Sequence, residues 1–226
     1  LFQSTRTYVK RLFSHESHFF SVNRDIFLRT ICILSVTTFF TAAGARQGDL
    51  LLASNALLLE LFYLFSYFMD GLSNAGEALA GEYYGGRNIH RLDRMLHVLF
   101  RIGAILALTF LILYAALAPL YLRFMTDNVE VVQMALYYIA WIAAVPVVGF
   151  AAFLWDGVFI GLTLTRQMFL TMLPAALLFF TVWFSVSPIC GNHALWLAFC
   201  SFLLMRGVLL TFVFLQRKSK RAPTAC

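Results

Sequence analysis

The feature that most restricts the fold of this chain is a succession of six apolar runs, each long enough to cross a bilayer. A transmembrane helix needs about 20 predominantly apolar residues. The sequence is 61% hydrophobic and only 12% charged, against about 25% charged residues in soluble domains. We therefore predict an all-α integral membrane protein with spans at residues 26–45, 50–81, 95–117, 131–161, 168–186 and 194–215.

The basic residues indicate how these spans are oriented. Most of the 17 lysines and arginines precede or open the first span, Arg29 among them, lie in or next to the second and fourth connections, or follow the last span. Such residues are enriched on the cytoplasmic side, so we expect both termini there and the protein in the plasma (inner) membrane. We divide the chain into a cytoplasmic linker (1–23), a six-span transmembrane lobe (24–216) and a basic cytoplasmic tail (217–226).

Several functions are disfavoured by the remaining pattern. The net charge of +6 comes from loops between spans, so we expect no nucleic acid as a partner. The four cysteines lack metal-ligand spacing and require no disulfide. The sequence contains no nucleophile elbow, phosphate-binding loop or paired metal-ligand motif, and its five histidines lie outside the spans or near their edges. We predict no enzyme, cofactor or metal.

The second span carries acidic residues inside an apolar run. A carboxylate at membrane depth costs several kcal/mol and usually serves a function. At about 100° per residue, the polar residues of this span fall within about 60° of one another on one face. We predict a stripe that binds substrate or ions, made of Asn55, Ser66, Asp70, Ser73 and Glu77. The alternatives are a structural hydrogen bond for Asp70 and a solvated position for Glu77.

A second acid, Asp156, lies on the fourth span. It shares a helix face with Tyr138 and Trp141. A carboxylate with aromatic rings suits an organic cation, through charge pairing and cation–π contact. The alternative is interhelical packing, with the two aromatic residues in the interfacial belt.

Arg206 lies deep in the sixth span and needs a carboxylate partner there. We predict that it is a structural counter-ion to Asp156 or Asp70. His193 opens the same span and is interpreted as a boundary residue, with a proton sensor as the alternative.

Three motifs in order resemble the multidrug and toxic compound extrusion (MATE) family, and most closely its DinF-like branch. Residues 70–85 resemble the signature of the eighth of the family's twelve spans, residues 146–161 the tenth, and residues 192–207 the twelfth. The resemblance covers roughly residues 24–215. It implies six helices that form one lobe, the C-terminal one, of a twelve-helix MATE-type transporter.

The resemblance also implies a function. Family members export cationic drugs in exchange for protons or sodium, by alternating access between two six-helix lobes. The implied partners are therefore the lipid bilayer, a missing N-terminal six-helix lobe, an organic cation and H⁺ or Na⁺. The alternatives are a lipid or lipid-linked saccharide flippase of the same superfamily, or a non-transporting truncated remnant.

Two departures from the family pattern concern the coupling ion. Sodium-coupled relatives use an acid on the seventh span together with one on the tenth, but the first span here contains no acid. The resemblance therefore leaves Asp156 without the second carboxylate of a sodium site. Proton coupling in DinF-like members is assigned to an aspartate of the other lobe.

Overall fold

The computed structural model consists of six helices in chain order. It describes the backbone of residues 2–221 and the side chains of residues 22–219. The described part of the chain contains the helices α1 (Phe2–Ala45), α2 (Asp49–Gly85), α3 (Ile89–Met125), α4 (Val129–Gly161), α5 (Thr165–Cys190) and α6 (Asn192–Arg221).

Each helix contains a segment that is long and apolar enough to cross a membrane. In α1 that segment is Val22–Ala45, and in α6 it is Asn192–Ser219. The prediction of six spans in an all-α membrane protein is confirmed. The helices extend past the predicted runs at several ends because amphipathic and charged turns continue the helix beyond the apolar core.

The predicted linker and tail are helical where the structure describes them. The backbone of α1 starts at Phe2, within the stretch that we assigned to a linker. At the other end α6 continues to Arg221, and Lys218 forms an ion pair of 2.9 Å with Asp93 of α3. Residues 222–226 of the predicted tail lie outside the described residues. The functional division of the chain into linker, lobe and tail stays a prediction.

Short connections of the chain place successive helices antiparallel. Asn88 and Asn128 precede α3 and α4, and their side chains accept hydrogen bonds from backbone N–H groups of the first helical turn. Such caps satisfy N–H groups that have no partner within the helix. Gly48 and Gly191 take positive φ angles of 112° and 51° in two of the turns, a conformation that glycine adopts without steric cost.

Helix α4 occupies the centre of the bundle. It packs against α2, α3 and α6, while α5 packs against α1 and α6. The aromatic side chains of α1 join these groups: Phe39 contacts several rings of α5, and Phe40 contacts Trp196 and Phe199 of α6. In contrast, α3 exposes a mainly apolar face between Ile102 and Leu120. That face suits contact with lipid, because the hydrocarbon core accepts apolar side chains.

Candidate functional site

Three charged side chains from three helices meet inside the bundle. The Nη2 atoms of Arg29 on α1 and Arg206 on α6 both contact the same atom, Oδ2 of Asp156 on α4. The exposed side-chain fractions are 14% for Arg29, 11% for Asp156 and 6% for Arg206. A charge is costly to bury unless it is paired. These residues therefore form a buried triad with one excess positive charge.

The triad leaves part of its hydrogen-bonding capacity unused. Within the described part of the chain, Nε of each arginine and Oδ1 of Asp156 lack a hydrogen-bond partner. The guanidinium of Arg206 also lies over the ring of Phe153, 5.9 Å from its centroid. The contacts that hold the triad together are thus mainly charge–charge contacts at one carboxylate oxygen.

Asp70 on α2 supplies the fourth charge of the region. Its side chain lies exposed at the surface of the bundle, and it interacts electrostatically with both Arg29 and Arg206. Among the described residues it forms no ion pair within contact distance. The two acids and two bases of the region therefore balance in charge. Only Asp70 among them is exposed, which leaves its carboxylate accessible from outside the bundle.

Ser73 links α2 to the helix that carries Asp156. Its hydroxyl donates a 2.8 Å hydrogen bond to the carbonyl of Phe153 and accepts a 3.0 Å bond from the N–H of Gly157. These two backbone groups are four residues apart, and they would be each other's partners in a regular α-helix. The serine therefore joins α2 to α4 directly beside Asp156.

Two glycines of α4 permit this close approach. A Cβ atom at Gly157 would clash with the backbone carbonyl of Ser73, and one at Gly161 would clash with the carbonyl of Glu77. Small residues allow helix backbones to come together in membranes, where packing and interhelical hydrogen bonds drive association. The contact fixes the position of α4, and thus of Asp156, relative to α2.

Asn55 belongs to a second polar network. Its amide and that of Asn192 exchange two hydrogen bonds, of 2.8 and 3.0 Å, and Trp196 Nε1 donates a 3.0 Å bond to Asn55 Oδ1. All three residues are buried. Buried amides need such partners because unpaired polar groups are destabilising. This network, which we call the amide clamp, joins α2 to the start of α6.

We expect the replacement Asn55→Ala to destabilise the bundle without touching the triad. It removes the acceptor of Trp196 and the two hydrogen bonds that Asn55 exchanges with Asn192, and buried polar groups left unpaired cost about 1–3 kcal/mol. Thermal unfolding in detergent measures the loss. Asn55→Ala and Asn192→Ala combined should cost less than the sum of the single changes, because the two residues form one network. Fully additive losses would contradict the amide clamp.

The predicted aromatic residues of α4 lie close to this clamp. Trp141 Nε1 donates a 2.9 Å hydrogen bond to His193 Nδ1, and the ring of Tyr138 lies 4.7 Å from that of His193. Tyr137 contacts the same imidazole at 5.2 Å. His193 is therefore a partner in the α4–α6 contact at this end of the bundle.

The structure divides the predicted site residues between two depths. With a rise of about 1.5 Å per residue, Asn55 and Asp70 are about 22 Å apart along α2, and Trp141 and Asp156 are about 22 Å apart along α4. Asp70, Asp156 and Ser73 belong to the level of the triad. Asn55, Tyr138 and Trp141 belong to the level of the amide clamp, so one small ligand does not contact both groups.

Two further predicted residues lie near the triad level on α2. Ser66 is buried, and its hydroxyl has no partner among the described residues. It precedes Asp70 by about one helical turn. Glu77 is half-buried, two turns beyond Asp70. Both stay predictions as binding residues.

Arg29 is the main residue that the sequence reasoning missed. The sequence pattern places it only among the basic residues that open the first span and indicate its orientation. Its position three residues inside the apolar run starting at Ile26 was the available signal, because an arginine at that depth needs a partner. For Arg206, Asp156 was one of the two expected partners, and the structure places it there.

The described residues contain no group of three or more His, Cys, Asp or Glu side chains that could hold a metal ion. The triad itself offers a single carboxylate to any cation, and two arginines already contact it. Asp156 therefore lacks the several oxygen ligands that hard cations prefer.

Six spanning helices around a buried group of opposite charges define a polytopic helical membrane protein. The MatE family model matches residues 26–189. The chain is 35% identical over 193 residues to DNA damage-inducible protein F of Escherichia coli, covering 85% of this chain and 42% of that protein. It is also 22% identical over 139 residues to Protein DETOXIFICATION 45, chloroplastic, of Arabidopsis thaliana, covering 60% and 24% of the two chains.

The chain belongs to the MatE family, and its resemblance to the DinF-like branch is confirmed. It spans less than half the length of these two curated relatives. The activity, substrates and partners of a whole transporter therefore enter only as proposals.

Proposed function

We propose that this chain is half of a secondary active antiporter that exports organic cations, including drugs and other xenobiotics, in exchange for protons. The observation that carries the proposal is Asp70, an exposed carboxylate on a membrane-spanning helix without a contacting counter-ion among the described residues. A carboxylate at this depth is costly to maintain and typically serves ion or substrate movement. Family membership and the six spans support the same class.

The mechanism assigns different tasks to the two aspartates. Asp156 holds two arginines, so we assign it a positioning role that keeps α1, α4 and α6 together. Asp70 is the group that exchanges a proton for a cationic substrate. In its ionised form it attracts the cation, and in its protonated form it releases it. Alternating access then moves the site between the two sides of the membrane.

The ligands available around Asp70 support protons over sodium as the coupling ion, because the described residues contain no group of three or more side chains that could hold a metal ion. Arg29 and Arg206 both act on Asp70 electrostatically, and their positive charges oppose any added cation, a proton included, so the number of oxygen ligands is what separates the two ions. A proton forms a covalent O–H bond with one carboxyl oxygen and needs no further ligands, whereas hard cations collect several oxygen ligands. The same two arginines favour release of the substrate cation once Asp70 is protonated.

We expect Asp70→Asn to lower the rate of proton-coupled efflux strongly while leaving the protein folded. The assay is export of a fluorescent organic cation from cells expressing the gene, with membrane levels of each variant matched. The initial rate should fall at least about tenfold, the equivalent of ~1.4 kcal/mol. Glu60→Gln is the matched control, because Glu60 is an exposed acid on the same helix. Unchanged efflux by Asp70→Asn at normal membrane level would refute the role of Asp70.

A flippase for an anionic lipid or lipid-linked saccharide is the second candidate. Arg29 favours it, because the buried region contains two arginines rather than one. The two acids balance those charges, however, which weakens attraction for an anion. Translocation of a fluorescent anionic lipid in the same cells, abolished by Arg29→Gln but insensitive to Asp70→Asn, would replace the antiporter proposal by this one.

A further inference from the structure

A cavity that is open at the surface lies between α2 and α3, away from the triad. Its volume is about 500 Å³. Arg91 and Arg94 line one end, near the start of α3, and apolar side chains of both helices line the rest. Neither arginine belongs to an ion pair among the described residues. None of the proposed transport steps uses this cavity.

The cavity runs along α3, and its two ends differ in polarity: one is cationic and the other is apolar. From Arg91 to Ile102 the helix rises by about 16 Å, at about 1.5 Å per residue. Val98 and Ile102 are exposed on the lipid-facing side of α3, and Leu72 and Leu79 of α2 form the opposite wall. Tyr83 of α2 also lines the cavity. A cationic rim therefore leads into an apolar slot.

The charges near the rim favour an anionic occupant. No acidic residue is among the described residues that line the cavity. Asp93, between the two arginines in sequence, is paired with Lys218 of α6. Glu82 is exposed on α2, while Arg87 and His90 lie exposed in the turn and first residues of α3. The net charge at this end of the two helices is therefore positive.

We propose that this cavity binds one anionic phospholipid, with its phosphate at Arg91 and Arg94 and an acyl chain in the apolar slot. Arginine binds phosphate oxygens through its planar set of N–H donors. Basic pockets between transmembrane helices are known to hold anionic head groups. A free inorganic anion would use the rim alone, and a zwitterionic lipid would lack the net charge, so the combination of rim and slot selects an anionic lipid.

The test is native mass spectrometry of the purified chain in a non-ionic detergent. Phosphatidylglycerol and phosphatidylcholine with identical acyl chains are titrated, and inorganic phosphate serves as a competitor. At about fivefold per arginine, two arginines should favour phosphatidylglycerol by roughly twenty-five-fold. The double variant Arg91→Gln, Arg94→Gln should remove that preference. Arg166→Gln is the matched control, because Arg166 is exposed and lies outside the cavity.

Two additional variants separate the lipid site from a general effect of charge or folding. Arg91→Lys with Arg94→Lys should keep most of the preference, since the positive charges remain. Leu79→Trp should fill the slot and weaken binding of both lipids while leaving the head-group preference. Full displacement of phosphatidylglycerol by inorganic phosphate, or an unchanged preference in the double glutamine variant, would overturn the proposal.

Discussion

Replacing Asp156 by alanine should lower the free energy of unfolding by about 3–5 kcal/mol, because breaking a buried ion pair leaves an uncompensated charge. In this protein two guanidinium groups lose their contact partner at once. Asp70 cannot substitute for the lost carboxylate, since it is exposed and forms no contact pair with either arginine. The four tryptophans allow the transition to be followed by fluorescence during denaturant titration in detergent.

Asp127→Ala is the matched control for this prediction, because Asp127 is an exposed acid in the connection between α3 and α4. Its replacement should change stability by less than about 0.5 kcal/mol. Combining Asp156→Leu with Arg29→Met and Arg206→Met should recover most of the loss, since apolar side chains often replace a buried charged group without loss of stability. A triple variant less stable than Asp156→Ala would contradict this expectation and show that the charged triad makes a net contribution to stability.

Gly157→Ala should destabilise the protein by about 3 kcal/mol, the upper part of the range for overpacked positions. The new methyl group would meet the backbone carbonyl of Ser73 rather than a side chain that can rotate away. Helices α2 and α4 would have to separate, which would also break both hydrogen bonds of Ser73. The same unfolding titration measures the effect.

Gly71→Ala provides the control on α2, because a Cβ atom there meets nothing within 4 Å. It should leave the transition unchanged or slightly raised. The variant Gly157→Ala, Ser73→Gly tests the cause: it removes the serine side chain but keeps the backbone carbonyl, so stability should stay low. Recovery in that double variant would mean that the Ser73 side chain, not the helix backbone, limits the approach of α4.

The helix arrangement makes the sequence patterns on α2 understandable. The polar stripe from Asn55 to Glu77 does lie along one side of the helix, as the 100° period requires. Its members nevertheless meet different neighbours, because the helix crosses several others along its length. Asn55 contacts α6, Ser73 contacts α4, and Asp70 remains exposed. The residues of the stripe therefore share one face of α2 but do not form one binding site.

The comparison of Arg206 with Arg29 also shows that a residue's position on its own helix does not identify its partners on other helices. Both arginines lie within apolar runs, and the cost of an unpaired buried charge predicts a carboxylate partner for each. For Arg206 this reasoning narrowed the partner to Asp156 or Asp70. It did not indicate that two arginines would use one carboxylate, because the angle of a residue on its own helix does not specify which neighbouring helix it faces.

The sequence by itself determined the number of spans and the helical class, because bilayer thickness and backbone hydrogen bonding restrict long apolar segments to helices. It also indicated the family. Three motifs in the expected order carried the family resemblance. Three outcomes were decided by the tertiary structure alone. Arg29 and Arg206 both pair with Asp156, Asn55 forms hydrogen bonds with α6, and Asp70 stays exposed. Those outcomes depend on helix crossing positions, which are set by contacts between residues far apart in the chain, such as Ser73 and Gly157.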